Sequence, residues 1–172
     1  MISDERKTRQ ERVALATQAM MTAARTAPKS RGIDIIEIIT VTNPEKEQLV
    51  NTMLEMGLNR DGENTRIAEA VVIIGTPKSP LALNCGYCGC DTCEQNKGKS
   101  PCEMNSVDLG IAIGSACAMA VDCRVDTRVM LSVGRAAKKM GLLPTCNEVY
   151  GIVVSCSSKS PFFDRKYTYK KV

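Results

Sequence analysis

Histidine is absent from all 172 residues of this chain. Ser-His and Cys-His nucleophilic catalysis, mixed Cys/His zinc sites and the usual proton shuttle at neutral pH go with it. Any metal must live on thiolates, carboxylates or backbone. Tryptophan is absent too, and Tyr and Phe number only four and two. No row of aromatic platforms is left for stacking single-stranded bases, and the core must be built from Ile, Val, Leu, Met and Ala. Neither sign of charge dominates: 23 basic and 19 acidic residues give a net +4, spread along the chain. That is ordinary solubility, not a phosphate-binding footprint, so no nucleic acid is expected as a partner. Only the tail "RKYTYKKV" is locally basic, and it reads as a solvated end. No apolar stretch reaches the roughly 18 residues that span a bilayer, and the N-terminal "MISDERKTRQER" is charged. A cytoplasmic protein without a membrane partner is expected. A G-x-x-x-x-G-K phosphate loop is missing, and the glycines of "GIAIGSACAMAV" lie in a helical run, not after a strand.

Cysteine, by contrast, is plentiful. Five of the nine fall within "NCGYCGCDTCEQNKGKSPCE", residues 84–103. In a reducing compartment such a cluster points to metal or redox chemistry before it points to a disulfide framework. Cys85, Cys88 and Cys93 are spaced C-x2-C-x4-C, Cys102 follows Pro101, and Cys90 is an extra thiol inside the run. A C-x-x-C turn presents two sulfurs to one centre while nearby backbone N–H groups point at the bound sulfur. Gly86 and Gly89 permit the positive φ angles that such a turn needs. Four thiolates suit an iron-sulfur cluster or a tetrahedral Zn²⁺. The three-plus-one spacing favours the cluster over a zinc ribbon built from two C-x-x-C knuckles. Cys90 stands either as an alternative to Cys88 or Cys93 or merely beside the site. Cys117, Cys123, Cys146 and Cys156 lie in apolar segments and read as buried small hydrophobes.

The rest of the chain reads as one domain over 1–172, with 84–104 inserted. The apolar spacing predicts a helix over about 3–26, ended by Pro28, and a β-branched strand over 34–41. A helix then opens with Asn43 as N-cap and Pro44 at its first position and closes on Gly57. A second helix is expected over about 64–70, leading into the buried strand "AVVIIGT". Beyond the cysteines come a buried helix capped by Ser106, a helix over 126–143 capped by Asp126, and a strand over 148–158. Three strands among these helices make a helix-covered sheet.

"CGYCGCDTC" followed by "PC" resembles the C-G-x-C-G-x-x-x-C motif of [4Fe-4S] ferredoxin-type domains. With "TAPKSRGIDII", "DLGIAIGSA", "VDTRVMLSVGRAAKKMGLL" and "SKSPFFDR", it resembles the family of ferredoxin domain-containing proteins of anaerobic bacteria and archaea over nearly the whole chain. The same segments are distantly similar to nitroreductase-like flavoproteins. The resemblance implies an α+β fold with a mixed sheet between helices, a [4Fe-4S] cluster on Cys85, Cys88, Cys93 and Cys102, and a homodimer. It also implies an FMN option, with Pro28, Lys29, Ser30 and Arg31 lining the flavin and Arg165 reaching its phosphate. Solvated loop charges are the alternative for Lys29 and Arg31. The function expected is single-electron transfer to a redox partner protein or a small-molecule acceptor. An FMN-dependent reductase fed by the cluster and a structural zinc- or cluster-binding protein are the alternatives. Asp91, Glu94 and Glu103 would lower the cluster's potential, partly offset by Lys97 and Lys99.

Overall fold

A strand that is apolar at nearly every position needs cover on both faces, and "AVVIIGT" has it: every residue of Ala70–Thr76 is buried. The computed structural model describes residues 2–158 and 160–163. Its elements run α1 (Arg9–Thr26), β1 (Glu37–Val41), α2 (Glu45–Glu55), α3 (Asn59–Ile67), β2 (Ala70–Thr76), α4 (Cys93–Asn96), α5 (Glu103–Asp122), β3 (Asp126–Met130), α6 (Leu131–Lys139) and β4 (Glu148–Ser155). One 3-10 turn, Ser30–Gly32, sits between α1 and β1. The strand order is β1-β2-β4-β3.

Alternation along the strands splits the apolar residues between two cores. Val72, Ile74, Ile152 and Val154 join Val13, Met20 and Ala24 of α1 and Leu109, Ala112, Ala116 and Ala120 of α5. Val71, Ile73, Val149 and Val153 face the other way, onto Leu49 and Met53 of α2 and Val133, Ala136 and Ala137 of α6. The expected α+β sheet between helices is therefore present. Its described ladders all run antiparallel, where a mixed sheet was implied, because each strand lies beside one of opposite sense.

Other expectations shift. The segment "DTRVM" is a strand paired to β4, not the opening of a helix, and α6 begins at Leu131. Helix α2 has Pro44, not Asn43, at its N-cap, and α3 starts at Asn59. Helix α5 starts at Glu103 with Cys102 at its N-cap, four residues before the expected Ser106. By length and composition α5 is apolar enough to cross a bilayer, contrary to the sequence reading. In this fold its buried side packs on α1 and β2.

Two features lock the α2-α3-α6 side. Lys46 is buried, and its Nζ donates to the carbonyls of Arg66 and Ala68 at 2.7 Å each, capping the C-terminal end of α3. Burial pulls its pKa down, partly opposed by Glu47 and Glu69. Helix α6 lies so close to β4 that a Cβ on Gly134 would stand 1.7 Å from the Val149 carbonyl oxygen.

Candidate functional site

The cysteine loop leaves β2 at Thr76 and returns at α5, and it is tied down near its start. Asn105, in the first turns of α5, donates through Nδ2 to the carbonyls of Pro77 and Ser79 at 2.9 Å each. The Arg31 guanidinium donates to the Leu81 carbonyl at 2.9 Å. From there the backbone takes left-handed conformations at Ala82, Asn84, Gly86 and Gly89. The two glycines adopt them without the Cβ clash that other residues meet. Gly89 N–H donates back to the Gly86 carbonyl at 3.0 Å and closes the turn that carries Cys88.

Helix α4 follows from a local signature. Thr92 accepts from Gln95 N–H at 3.3 Å, and Gln95 Oε1 accepts from the N–H groups of Asp91 and Thr92 at 3.0 and 3.4 Å. This is the reciprocal T-x-x-Q capping box. It puts Cys93 at the first helical position, where Asn84 clasps it from both sides. Cys93 N–H donates to Asn84 Oδ1 at 2.8 Å, and Asn84 N–H points at Cys93 Sγ at 3.2 Å.

The thiols differ in surroundings. Cys85 is exposed, Cys88, Cys90 and Cys93 are half-buried, and Cys102 is buried. The backbone N–H of Cys90 holds the Cys88 thiol below the ordinary range against partial desolvation, with help from the Asn96 amide and the Cys90 thiol. Desolvation and the neighbouring Cys88 push Cys90 the other way. Asn96 is fully buried. Its Oδ1 accepts from Ser100 N–H at 3.1 Å and from Ser100 Oγ at 3.4 Å. Asn105 Oδ1 and Thr76 Oγ1 are buried without hydrogen-bond partners. Such an atom typically costs about 1–3 kcal/mol.

Among the described residues no three Cys, Asp or Glu side chains stand close enough together to hold a metal ion. Cys85, Cys88, Cys93 and Cys102 share one loop without converging on a point. What fits a thiolate-bound group is the donor chemistry: sulfur without histidine, and the Asn84 N–H aimed at Cys93 Sγ.

The four residues of the 28–31 loop are also placed. Pro28 is exposed. Lys29 is turned inward, its Nζ donating to the carbonyls of Arg25, Ala27 and Ala24 at 2.5, 2.9 and 3.3 Å, so it caps α1. Ser30 donates through its N–H to both oxygens of the buried Asp108 and through Oγ to Oδ1, all at 3.0 Å. Arg31 has φ +58° and holds Leu81. The loop thus bears on the root of the cysteine loop, a connection that spacing did not announce. Arg165 lies outside the described residues. Of the remaining cysteines, Cys146 is buried and Cys117 and Cys156 are half-buried, and burial pushes all three thiols up. Cys123 is exposed, contrary to expectation, because it caps the end of α5 where the helix leaves the core.

A family pattern described as "uncharacterized protein containing a ferredoxin domain" matches residues 98–165. An uncharacterized protein of Archaeoglobus fulgidus is 36% identical over 181 aligned positions, covering 96% of this chain and 98% of the relative. The chain belongs to this ferredoxin domain-containing family. The matched pattern begins after Cys93 and takes in Cys102. Solved structures supply the fold. A candidate nitroreductase of Desulfovibrio desulfuricans, solved in complex with FMN, superposes with a TM-score of 0.61 at 12% identity, over 97% of this chain and 81% of that one. The hypothetical oxidoreductase YcnD of Bacillus subtilis gives 0.57 at 17% identity, over 88% of this chain and 59% of its own length. The chain spans less than two thirds of the latter. The family's ferredoxin domain points to redox chemistry.

Proposed function

We propose that this protein is an iron-sulfur redox protein, in which Cys85, Cys88, Cys93 and Cys102 hold a [4Fe-4S] cluster that exchanges single electrons with a partner protein or a small-molecule acceptor in the cytoplasm. The observation that carries the reading is the clasp on Cys93, whose Sγ faces the Asn84 N–H at 3.2 Å while its own N–H is held by Asn84 Oδ1, within a loop that gathers five thiols and no histidine. A bound cluster would supply one-electron chemistry, and the chain's part is to hold it and set its potential. The thiolates bring negative charge, which the N–H donors offset. Asp91, Glu94 and Glu103 add more, although Glu94 is paired with Lys97 at 3.5 Å. The test is anaerobic purification with a visible spectrum before and after dithionite. A broad brown absorption that bleaches is expected. A colourless protein that takes up zinc but not iron and sulfide overturns the reading in favour of a structural site.

The second reading is an FMN-dependent reductase fed by the cluster, favoured by the fold shared with an FMN complex. In it Pro28, Ser30, Arg31 and Arg165 contact the flavin while Lys29 holds the loop from within. Structured yellow bands in the same spectrum would bring it forward.

A homodimer belongs to both readings. The outer side of α5 is a stripe of Val107, Gly110, Ile111, Gly114, Ala118 and Val121, all exposed. They recur at the three- and four-residue steps of a helix that pairs with another. A second copy on this face predicts twice the chain mass by light scattering, and Ile111→Glu is expected to reduce it to the monomer.

A further inference from the structure

Cys93 is held by a chain of contacts that begins outside the cysteine loop. The buried carboxylate of Asp108, on α5, accepts from Ser30 N–H with both oxygens and from Ser30 Oγ with Oδ1, all at 3.0 Å. Ser30 is thereby fixed at the start of the 3-10 turn, and the next residue, Arg31, sits there at φ +58°. Its guanidinium donates to the Leu81 carbonyl at 2.9 Å. Leu81 is buried, and the residues after it, 82–87, are all exposed. Among the described residues the hydrogen bonds of 82–95 run within the loop itself. Arg31 therefore holds the last backbone group of the outgoing arm that is hydrogen-bonded to the body of the fold. Three residues on, Asn84 clasps Cys93, taking its N–H at 2.8 Å and directing its own N–H to the sulfur at 3.2 Å.

The span between clip and clasp is under strain. Ala82 and Asn84 both take left-handed conformations, φ +55° and +50°, which residues with a Cβ rarely adopt. Such conformations persist only where their surroundings over-determine them. Here the fixed ends are Leu81, under Arg31, and Asn84 itself, on Cys93. We propose that Arg31 is a clip that sets the reactivity of the Cys93 thiol from outside the cysteine loop, with Asp108 and Ser30 as its anchor. Released from Arg31, Ala82 and Asn84 relax toward ordinary backbone angles, Asn84 leaves the sulfur, and the half-buried Cys93 opens to solvent. Cys88 lies outside this relay, because Gly89 N–H and the Gly86 carbonyl close its turn locally at 3.0 Å. Arg31 is thus a positioning residue for Cys93, whatever the thiols bind.

The experiment uses the full chain, reduced and freed of bound metal with a chelator, and follows iodoacetamide labelling of each cysteine by mass spectrometry. Exposed Cys123 is the reference for reagent and pH, and Cys117, Cys146 and Cys156 report the integrity of the core. Arg31→Ala is expected to raise the labelling rate of Cys93 about tenfold, the order set by losing one hydrogen bond from a charged donor. Cys88 and the three core thiols are expected to keep their wild-type rates. Ser30→Ala, which keeps the N–H contacts with Asp108, gives a smaller rise in the same direction. In an Asn84→Gly background Cys93 is already released, so Arg31→Ala adds nothing further, the non-additivity that a relay requires. Arg31 and Asn84 are exposed, and their replacement leaves the core intact. An unchanged Cys93 rate in Arg31→Ala, an equal rise at Cys88, or additive effects of Arg31→Ala and Asn84→Gly overturns the proposal. Iron and sulfide uptake plays no part in the readout, so failure of the iron-sulfur reading is a separate result.

Discussion

Gly134→Ala is expected to be the most damaging single-methyl change in the chain. The added Cβ would lie 1.7 Å from the carbonyl oxygen of Val149, 2.4 Å from its carbon and 2.9 Å from the Tyr150 nitrogen. All three are backbone atoms of β4, a strand hydrogen-bonded on both sides, so none can yield as the end of a flexible side chain would. The helix itself must lift. Val133 blocks a simple slide, because it fills the space over Gly151, where a Cβ would meet its Cγ1 at 2.1 Å. Overpacking of a dense core costs about 1–3 kcal/mol, and a clash with backbone on this scale belongs at or above the upper end. Against a total stability on the order of 5–15 kcal/mol, the variant should lose a large share of its urea midpoint or fail to accumulate. A midpoint within error of the wild type would mean that α6 does not seat on β4 as described.

The second large effect concerns the thiols. Cys93→Ser is expected to lower iron retention at least about tenfold, since loss of a ligand exceeds the 10–100-fold cost of losing a group that merely orients one. Serine is close in size, so the clasp by Asn84 and the capping box of α4 should survive, and the loss reports ligation, not folding. Cys85, Cys88 and Cys102 are expected to behave alike, and Cys90→Ser to keep its iron. Iron and sulfide analysis of the five variants, loaded in parallel, decides the matter. Loss in Cys90→Ser with retention in Cys93→Ser would move the ligand role from one to the other.

Much of this architecture is legible without coordinates, and the exceptions are instructive. Apolar runs announced β2 and β4, and the stripe from Val13 to Ala24 announced α1, because burial on a regular lattice leaves a period. The strand β3 left none. Its five residues pass into α6 with no Gly or Pro between them, and Asp126 imitates an N-cap when its carboxylate instead accepts from Ser160 at 2.5 Å. Helix α3 lies earlier in the chain than its sequence pattern suggests, because "NRDGENTRI" is polar and holds Gly62, so its existence depends on packing against α2 more than on its own propensity. In the loop, spacing marked the sulfurs but not what serves them. Asn84 and Asn96 act through single turns, which have no periodicity to detect. Thr92-x-x-Gln95, however, is a readable signal.

The position of the cysteine loop also bears on how the protein comes into being. Neither core contains Cys85, Cys88, Cys90 or Cys93; both are completed by α1, α2, α5, α6 and the sheet. The scaffold therefore does not wait for a cofactor to become a scaffold, unlike small domains that fold only around their metal. On the proposed iron-sulfur reading, insertion would be a late and separable stage of maturation, performed on a finished body. Damage to the centre, by oxygen for example, would strip a working part from an intact protein that stands ready to be refitted.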